Sequence, residues 1–264
     1  MQRICGATMQ KSEFLETAIK AAKAGEEVIR KYYLGEFDIE IKEDESPVTI
    51  ADVETEKTIK EIILGKFPDH GFFGEETGKT NPDAEYNWLI DPIDGTKSFV
   101  RQYPFFSTQI ALMKGDELIM GVSNAPMFGE MAYAEKGLGA FLNDQPITVS
   151  DMTELKKSTL STGNIATLAG MPNWTNLAQL IQSVHRTRGY GDFYHYHLLA
   201  SGKADIIVES DVNILDIAAL SVIINEAGGY FTDLDGKSLN LDTTTVLACN
   251  SKDMHEQVSI MLGV

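Results

Sequence analysis

The sequence predicts a layered α/β protein whose two halves are built differently, and three observations predict it. Two helical segments open the chain, a run of strands joined by compact turns follows to about residue 150, and helices then alternate with strands to the end. The composition suits a folded core, since 43% of the 264 residues are apolar and 23% are charged. Such a length allows one large domain or two of moderate size, and we place a boundary near Ser150, dividing residues 1–150 from 151–264.

The elements follow from local pattern. Residues 12–34 put Phe14, Leu15, Ala18, Ile19, Ala22, Val28, Ile29 and Tyr32 at helical spacing behind Ser12, a good N-cap. A second helix is expected from Asp52 to Leu64, with Ile59, Ile62 and Ile63 on one face, closed by Gly65 with Pro68 beyond. Phe72 and Phe73 read as anchors that seat a loop. Trp88–Ile90 reads as a strand stopped by Pro92, which has no N–H for a central ladder. Residues 107–113 and 117–124 flank Lys114-Gly115-Asp116 as an antiparallel hairpin, and 129–147 continue as short strands with an Asn143-Asp144 turn. In the second half, strands are expected near 158–163, 204–209 and 245–248, and helices near 176–185, 192–202 and 216–227.

Charge and cysteine usage narrow the function. With 22 Lys and Arg against 39 Asp and Glu, the net charge is −17, which argues against a nucleic-acid partner and against an anionic membrane surface. Cys5 and Cys249 form no C-x-x-C spacing, so a reducing, cytoplasmic setting is expected. Met1–Phe14 lacks a signal-peptide core, and no run approaches the roughly 18 apolar residues of a spanning helix. Neither G-x-S-x-G nor a phosphate-binding G-x-x-x-x-G-K-[ST] loop occurs. Phe231-Thr232-Asp233-Leu234-Asp235-Gly236 mimics the start of another phosphatase fold, but too little chain follows it, and it reads as a hairpin turn on Asp235-Gly236.

The most informative stretch is residues 88–99, Trp-Leu-Ile-Asp-Pro-Ile-Asp-Gly-Thr-Lys-Ser-Phe. Asp91 and Asp94 leave a buried strand together, and Gly95 and Thr96 open a helix whose N–H groups suit an anion. A phosphate beside two carboxylates would be repelled unless a hard divalent cation bridged them, and magnesium is the natural one. Taken singly, each acid has an ordinary alternative. Asp91 and Asp94 can cap a turn, Glu75 and Glu76 can be solvated, and Asp52, Asp192 and Asp216 can cap helices.

Together the motifs resemble the inositol monophosphatase superfamily of magnesium-dependent phosphomonoesterases. The likeness covers roughly residues 12–260 and rests on Gly74-Glu75-Glu76, on Asp91-Pro92-Ile93-Asp94-Gly95-Thr96, and on Asp216-Ile217-Ala218-Ala219 followed by Glu226-Ala227-Gly228-Gly229. It implies a five-layer αβαβα sandwich of the inositol monophosphatase/fructose-1,6-bisphosphatase type and a homodimer. It also implies two to three Mg2+ ions held by Glu75, Asp91, the carbonyl of Ile93, Asp94 and Asp216. Thr96, oriented by Asp52, would act with Glu75 on the attacking water, and the N–H groups of Gly95 and Thr96 would hold phosphate. Leu215 stands where the family usually places Trp before the last metal aspartate.

Within the superfamily, Lys97, Ser98 and residues 188–196 resemble the histidinol-phosphatase branch, which implies L-histidinol phosphate as substrate and a place in histidine biosynthesis. Asp192 and Glu209 would pair with the ammonium and imidazole of that substrate, whereas an inositol ring offers only hydroxyls. Inositol 1-phosphate and other sugar or nucleotide phosphates are the alternatives, and a non-enzymatic ligand-binding regulator on the same fold is the rival from another class. Lys97 and Arg101 can reach substrate or simply be solvated. His195 and His197, two apart on a helix, are expected to diverge rather than share a metal.

Overall fold

The computed structural model describes residues 11–35, 39–41 and 47–264; Cys5 and most of the Met1–Phe14 segment lie outside the described residues. Helix α1 (Glu13–Tyr33) begins as its sequence dictates, with the Ser12 hydroxyl accepting the Leu15 N–H at 3.1 Å, and buries Leu15, Ala18, Ala22 and Ile29 along one face. After a short antiparallel ribbon, β1 (Ile39–Ile41) and β2 (Pro47–Thr49), helix α2 (Ile50–Lys66) packs against α1. It does not close at Gly65. That glycine stays helical with open space around it, and the stop is set two residues after the observed end by Pro68, which disfavours helical geometry in the residue before it.

Among the described residues ten strands precede residue 148, and eight of them form one sheet in the order β10-β9-β8-β7-β6-β5-β3-β4. They are β3 (Gly71–Gly74), β4 (Gly78–Thr80), β5 (Tyr86–Asp94), β6 (Ser107–Lys114), β7 (Glu117–Ala125), β8 (Glu130–Glu135), β9 (Gly139–Leu142) and β10 (Gln145–Ile147). Phe72 and Phe73 thus belong to a strand rather than a loop; β3 escaped notice because it is short and bounded by glycines, and it is fixed by parallel pairing to β5. The expected stop at Pro92 is also corrected. Strand β5 continues to Asp94 through a bulge, because three steps from Asp91 to Asp94 oppose only two from Gln109 to Ser107. The bulge absorbs the missing proline N–H, and the Thr108 hydroxyl donates to the Pro92 carbonyl at 2.9 Å.

The second sheet has the order β12-β11-β13-β15-β14, from β11 (Thr159–Thr162), β12 (Arg186–Arg188), β13 (Ile206–Ser210), β14 (Tyr230–Thr232) and β15 (Thr245–Cys249). Helices α4 (Ile165–Ala169), α5 (Trp174–Ser183), α6 (Asp192–Ala200), α7 (Ile214–Glu226) and α8 (Lys252–Leu262) complete the chain, after the five-residue α3 (Thr96–Val100). The sequence reading had not placed β12, β14, α4 or α8. Residues 233–237 do form a turn, with Gly236 N–H bonding the Asp233 carbonyl, but a long connection to β15 replaces a tight hairpin.

Alternation along the strands assigns the layers. Trp88, Ile90, Ile110 and Leu112 face α1 and α2, while Leu89 and Ala111 face the opposite way, toward α6 and α7. Those two helices are covered on their far side by Ile207, Val246 and Ala248 of the smaller sheet, whose outer residues Leu160, Val208 and Leu247 pack against Leu177, Met254 and Val258. The result is the expected αβαβα sandwich. Helix α7 lies at its centre, which is why ten of its thirteen residues are buried and its sequence is apolar nearly all round.

Candidate active site

A cavity of about 230 Å³ opens between the bulged end of β5, the start of α7 and the start of α6. Asp52, Glu75, Asp91, Ile93, Asp94, Gly95, Thr96, Asp192, Glu209 and Asp216 all line it, so the residues expected to hold metal, water, phosphate or substrate converge there. Lys97 lines it as well and is the only basic residue of that lining among the described residues; Arg101 is exposed elsewhere.

The β5 bulge turns Asp91 and Asp94 into the cavity. Asp94 receives the Ser107 hydroxyl at 3.4 Å, and Ser107 in turn accepts the Gln109 amide at 2.8 Å. The third acid comes from far along the chain. Asp216 does not cap α7 itself; Asn213 does, and Asp216 sits in the first turn, accepting the Asn213 N–H at 2.8 Å and its side-chain amide at 2.7 Å. Carboxylate oxygens of Asp91, Asp94 and Asp216 lie within 4.8 Å of one another. Burial and mutual repulsion push the carboxyls of Asp91 and Asp94 well above the usual range, and burial pushes Asp216 up to about 7. The buried Oδ1 of Asp91 has no hydrogen-bond partner among the described residues.

These features fit a divalent cation. Crowded oxygen ligands with an unsatisfied lone pair are what a hard cation replaces protons on. Glu75, exposed at the tip between β3 and β4, adds its charge to Asp91 and Asp216 from the open side. Ile93 lines the cavity while its side chain is buried with Phe99 and Phe106. The Thr96 hydroxyl donates to the Ile93 carbonyl at 3.0 Å, and Asp52, buried in the first turn of α2, lines the same space. Gly95 precedes α3 at φ +92°, where a Cβ would come within 2.5 Å of the Phe105 carbonyl, so only glycine serves.

The opposite wall is differently made. Asp192 is the first residue of α6, not its cap; Gly191 takes that position, and Asp192 itself adopts φ +46°. Burial and the neighbouring Glu209 raise its carboxyl to about 6, against the pull of His195 and Lys97. Glu209 is buried and already engaged: one oxygen lies 3.0 Å from His195 Nε2 and accepts the Tyr196 hydroxyl. His195 Nδ1 lies 3.2 Å from the Ser161 hydroxyl, while His197 turns the other way to Ser123 at 2.9 Å and Glu130 at 3.1 Å. Sequence reasoning missed Asp211, which joins this wall at φ +58°, and Glu56, which grips the loop bearing Glu75. Neither carries a motif; only the folded neighbourhood reveals them.

Comparison with known proteins agrees with this geometry. The model of the inositol monophosphatase family matches residues 10–260. The chain belongs to that family. It is 36% identical over 239 residues to a histidinol-phosphatase of Chlorobaculum parvum, covering 90% of each chain. It is 31% identical to inositol monophosphatase 1 of Mus musculus, over 94% of this chain and 93% of that one. The solved inositol monophosphatase of Anabaena superposes with a TM-score of 0.83 at 34% identity, covering 95% of both. As a member of the inositol monophosphatase family, the protein is a phosphoric monoester hydrolase acting on small phosphate esters. No helix among the described residues is long and apolar enough to cross a membrane.

Proposed function

We propose that this family member is a magnesium-dependent histidinol-phosphatase, converting L-histidinol phosphate to L-histidinol in histidine biosynthesis. The observation that carries the reading is the acidic wall facing the acid cluster: Asp192, Glu209 and Asp211 line one side of a cavity in which Lys97 is the single basic lining residue among the described residues. A substrate bearing an ammonium and an imidazole complements the acids of that wall, Asp192 above all, whereas a neutral polyol brings no charge to them. The likeness to proteins named histidinol-phosphatases supports the same choice.

In this reading Glu75, Asp91, the Ile93 carbonyl, Asp94 and Asp216 hold two to three Mg2+ ions. Bound there, the metal supplies charge neutralisation of the phosphate and acidification of a water. Thr96, supported by Asp52, would orient the attacking water together with Glu75, whose carboxylate would take its proton. Backbone N–H groups of Gly95 and Thr96 hold phosphate oxygens, and Lys97 adds the positive charge that draws the dianion into an acidic pocket. Asp192 pairs with the substrate cation, and Glu209 acts mainly by holding His195 and Tyr196 against the same wall. A cytoplasmic homodimer completes the proposal.

The test is kcat/KM of the purified protein on L-histidinol phosphate and on myo-inositol 1-phosphate with Mg2+, with EDTA as control. A preference of about a hundredfold for histidinol phosphate, some 2.7 kcal/mol of differential transition-state binding, supports the reading. The opposite preference keeps the metal chemistry and reassigns the substrate to inositol 1-phosphate. Turnover unaffected by EDTA sinks the metal assignment.

A further inference from the structure

The hairpin that carries Glu75 is held in place by a side chain from a different element. Strands β3 and β4 lie at the edge of the large sheet and are joined by Glu75-Glu76-Thr77, with Gly78 left-handed at φ +64°. Three-residue loops closed by a left-handed residue are common in hairpins. A tip of this kind, exposed at Glu75 and Thr77, is ordinarily among the first parts of a sheet to open. Here it is tied down. Glu56, fully buried on α2, accepts the N–H of Glu76 at 2.7 Å on one carboxylate oxygen and the N–H of Thr77 at 2.8 Å on the other.

The fit around this carboxylate is close. A Cβ at Gly74 would stand 2.4–2.5 Å from its three atoms, so the strand passes over Glu56 only because residue 74 is glycine. One helical turn on, Lys60 donates to the hydroxyls of Thr77 at 3.0 Å and Thr80 at 3.1 Å, gripping the far side of the same hairpin. Docking alone does not call for an acid at residue 56. A buried carboxylate is costly unless its lone pairs are used, and Asp52 and Glu56 are like charges four apart on the same buried face of α2. An apolar contact would pack the hairpin at less cost. What a carboxylate does that an apolar side chain cannot is fix two successive backbone N–H groups, and those groups immediately follow Glu75.

We propose that Glu56 is a positioning residue for metal binding: it clamps the backbone immediately after Glu75, so that the Glu75 carboxylate stands at the open side of the Asp91, Asp94 and Asp216 cluster. This rests on the assignment of Glu75 as a metal ligand made above. The clamp spares the metal the work of ordering an edge hairpin each time it binds, and its loss is therefore read as weaker metal affinity rather than as lost chemistry at saturation.

Glu56→Gln tests this, since the amide keeps the shape and one acceptor but turns an N–H donor toward a backbone donor. Calorimetric Mg2+ affinity is expected to fall about 10- to 100-fold, the usual effect of losing a supporting contact to a metal site. The Mg2+ concentration for half-maximal activity rises equally, while kcat at saturating Mg2+ and the circular-dichroism spectrum stay near those of the parent. A folded Glu56→Gln protein that binds Mg2+ as the parent does overturns the proposal. Asp94→Asn separates the two levels: if it abolishes Mg2+ binding while Glu56→Gln leaves the affinity unchanged, only the clamp falls, and if Asp94→Asn binds normally, the metal-site assignment falls and the clamp with it. Should Glu56→Gln fail to fold, hydrogen exchange of the unmodified protein decides. The N–H groups of Glu76 and Thr77 are expected to exchange about 100-fold slower than in an open loop and slower still with Mg2+; exchange at the open-loop rate, or no response to Mg2+, overturns the proposal.

Discussion

The two walls of the cavity are both acidic, yet they manage their charge in opposite ways. On one wall, oxygens of Asp91, Asp94 and Asp216 stand within 4.8 Å of one another, and the buried Asp91 Oδ1 has no hydrogen-bond donor among the described residues. On the other, Glu209 is hydrogen-bonded from within the chain by His195 and Tyr196, and Asp192 stands at the cavity surface with a carboxyl raised to about 6 by burial and by Glu209. Unrelieved repulsion calls for a cation from outside; repulsion relieved by built-in donors leaves one acid poised for a weaker, exchangeable partner. The contrast assigns binding of metal to the first wall and choice of substrate to the second.

The largest way to break this contrast is Asp94→Asn. Replacing one of three crowded carboxylates removes a ligand charge while preserving volume, and kcat is expected to fall about 1,000-fold or more with the fold intact, in line with the several kcal/mol that metal clamping contributes. Near-normal turnover removes Asp94 from the metal wall. Asp192→Ala comes next. Loss of one charge-assisted contact, about 1.5–3 kcal/mol, predicts a 10- to 100-fold drop in kcat/KM on L-histidinol phosphate, and little change on p-nitrophenyl phosphate, which has no cation to pair. Equal losses on both substrates would erase the distinction between the walls.

The first wall was legible in the sequence and the second only partly, for physical reasons. Asp91, Asp94, Gly95 and Thr96 are consecutive or nearly so, and a bulge at a proline is local chemistry, so one short stretch fixes their arrangement. The strand's extension through Pro92 was still misjudged, because a bulge depends on the partner strand supplying Gln109 and Ser107 in shifted register. Glu209 was noticed, but its occupation by His195 and Tyr196 depends on α6 crossing β13, a pairing no local pattern encodes. Short elements such as β3, β12 and β14 were missed for the same reason: three or four residues carry too little periodicity, and neighbours in the sheet decide them. The long α1 and the β6–β7 hairpin, in contrast, were plain from alternation and capping alone.

The metal wall also makes a prediction about pH. Because burial and crowding raise Asp91 and Asp94 and bring Asp216 to about 7, the metal-free native state holds protons that the unfolded chain has already released. Stability contributed by these groups is present at low pH and is lost as pH rises through about 7. Mg2+ competes with those protons, so its stabilisation grows in the same direction. Thermal unfolding between about pH 6.5 and 8 is therefore expected to show Tm falling with pH in EDTA and a Mg2+-induced Tm rise that widens with pH. The buried His255, pushed down to about 4, stays neutral in the native state, so it opposes this slope only toward pH 6.5, where the unfolded imidazole still binds part of a proton. A Mg2+ effect independent of pH would mean that the three acids are ionised without metal, contrary to the crowding that distinguishes their wall.

The smallest expected effect concerns how the third acid is aimed. Asp216 is held by local bonds: the Asn213 N–H and side-chain amide N–H reach its two oxygens, and the side-chain Oδ1 of Asn213 accepts the Leu215 N–H at 2.7 Å. Asn213→Ala removes the cap and one of the two donors, but the backbone N–H at 2.8 Å still orients the carboxylate. Loss of a helix cap costs about 1 kcal/mol, which for a chain of this size lowers Tm by about 2–4 °C. Mg2+ affinity is expected to change less than threefold, because the helix that carries Asp216 is packed on every side and does not rely on its cap for position. A loss of affinity as large as that of Asp94→Asn would reverse this ranking. It would place Asp216 among residues that need an outside clamp, as the exposed hairpin of Glu75 does, rather than among those aimed by the core itself.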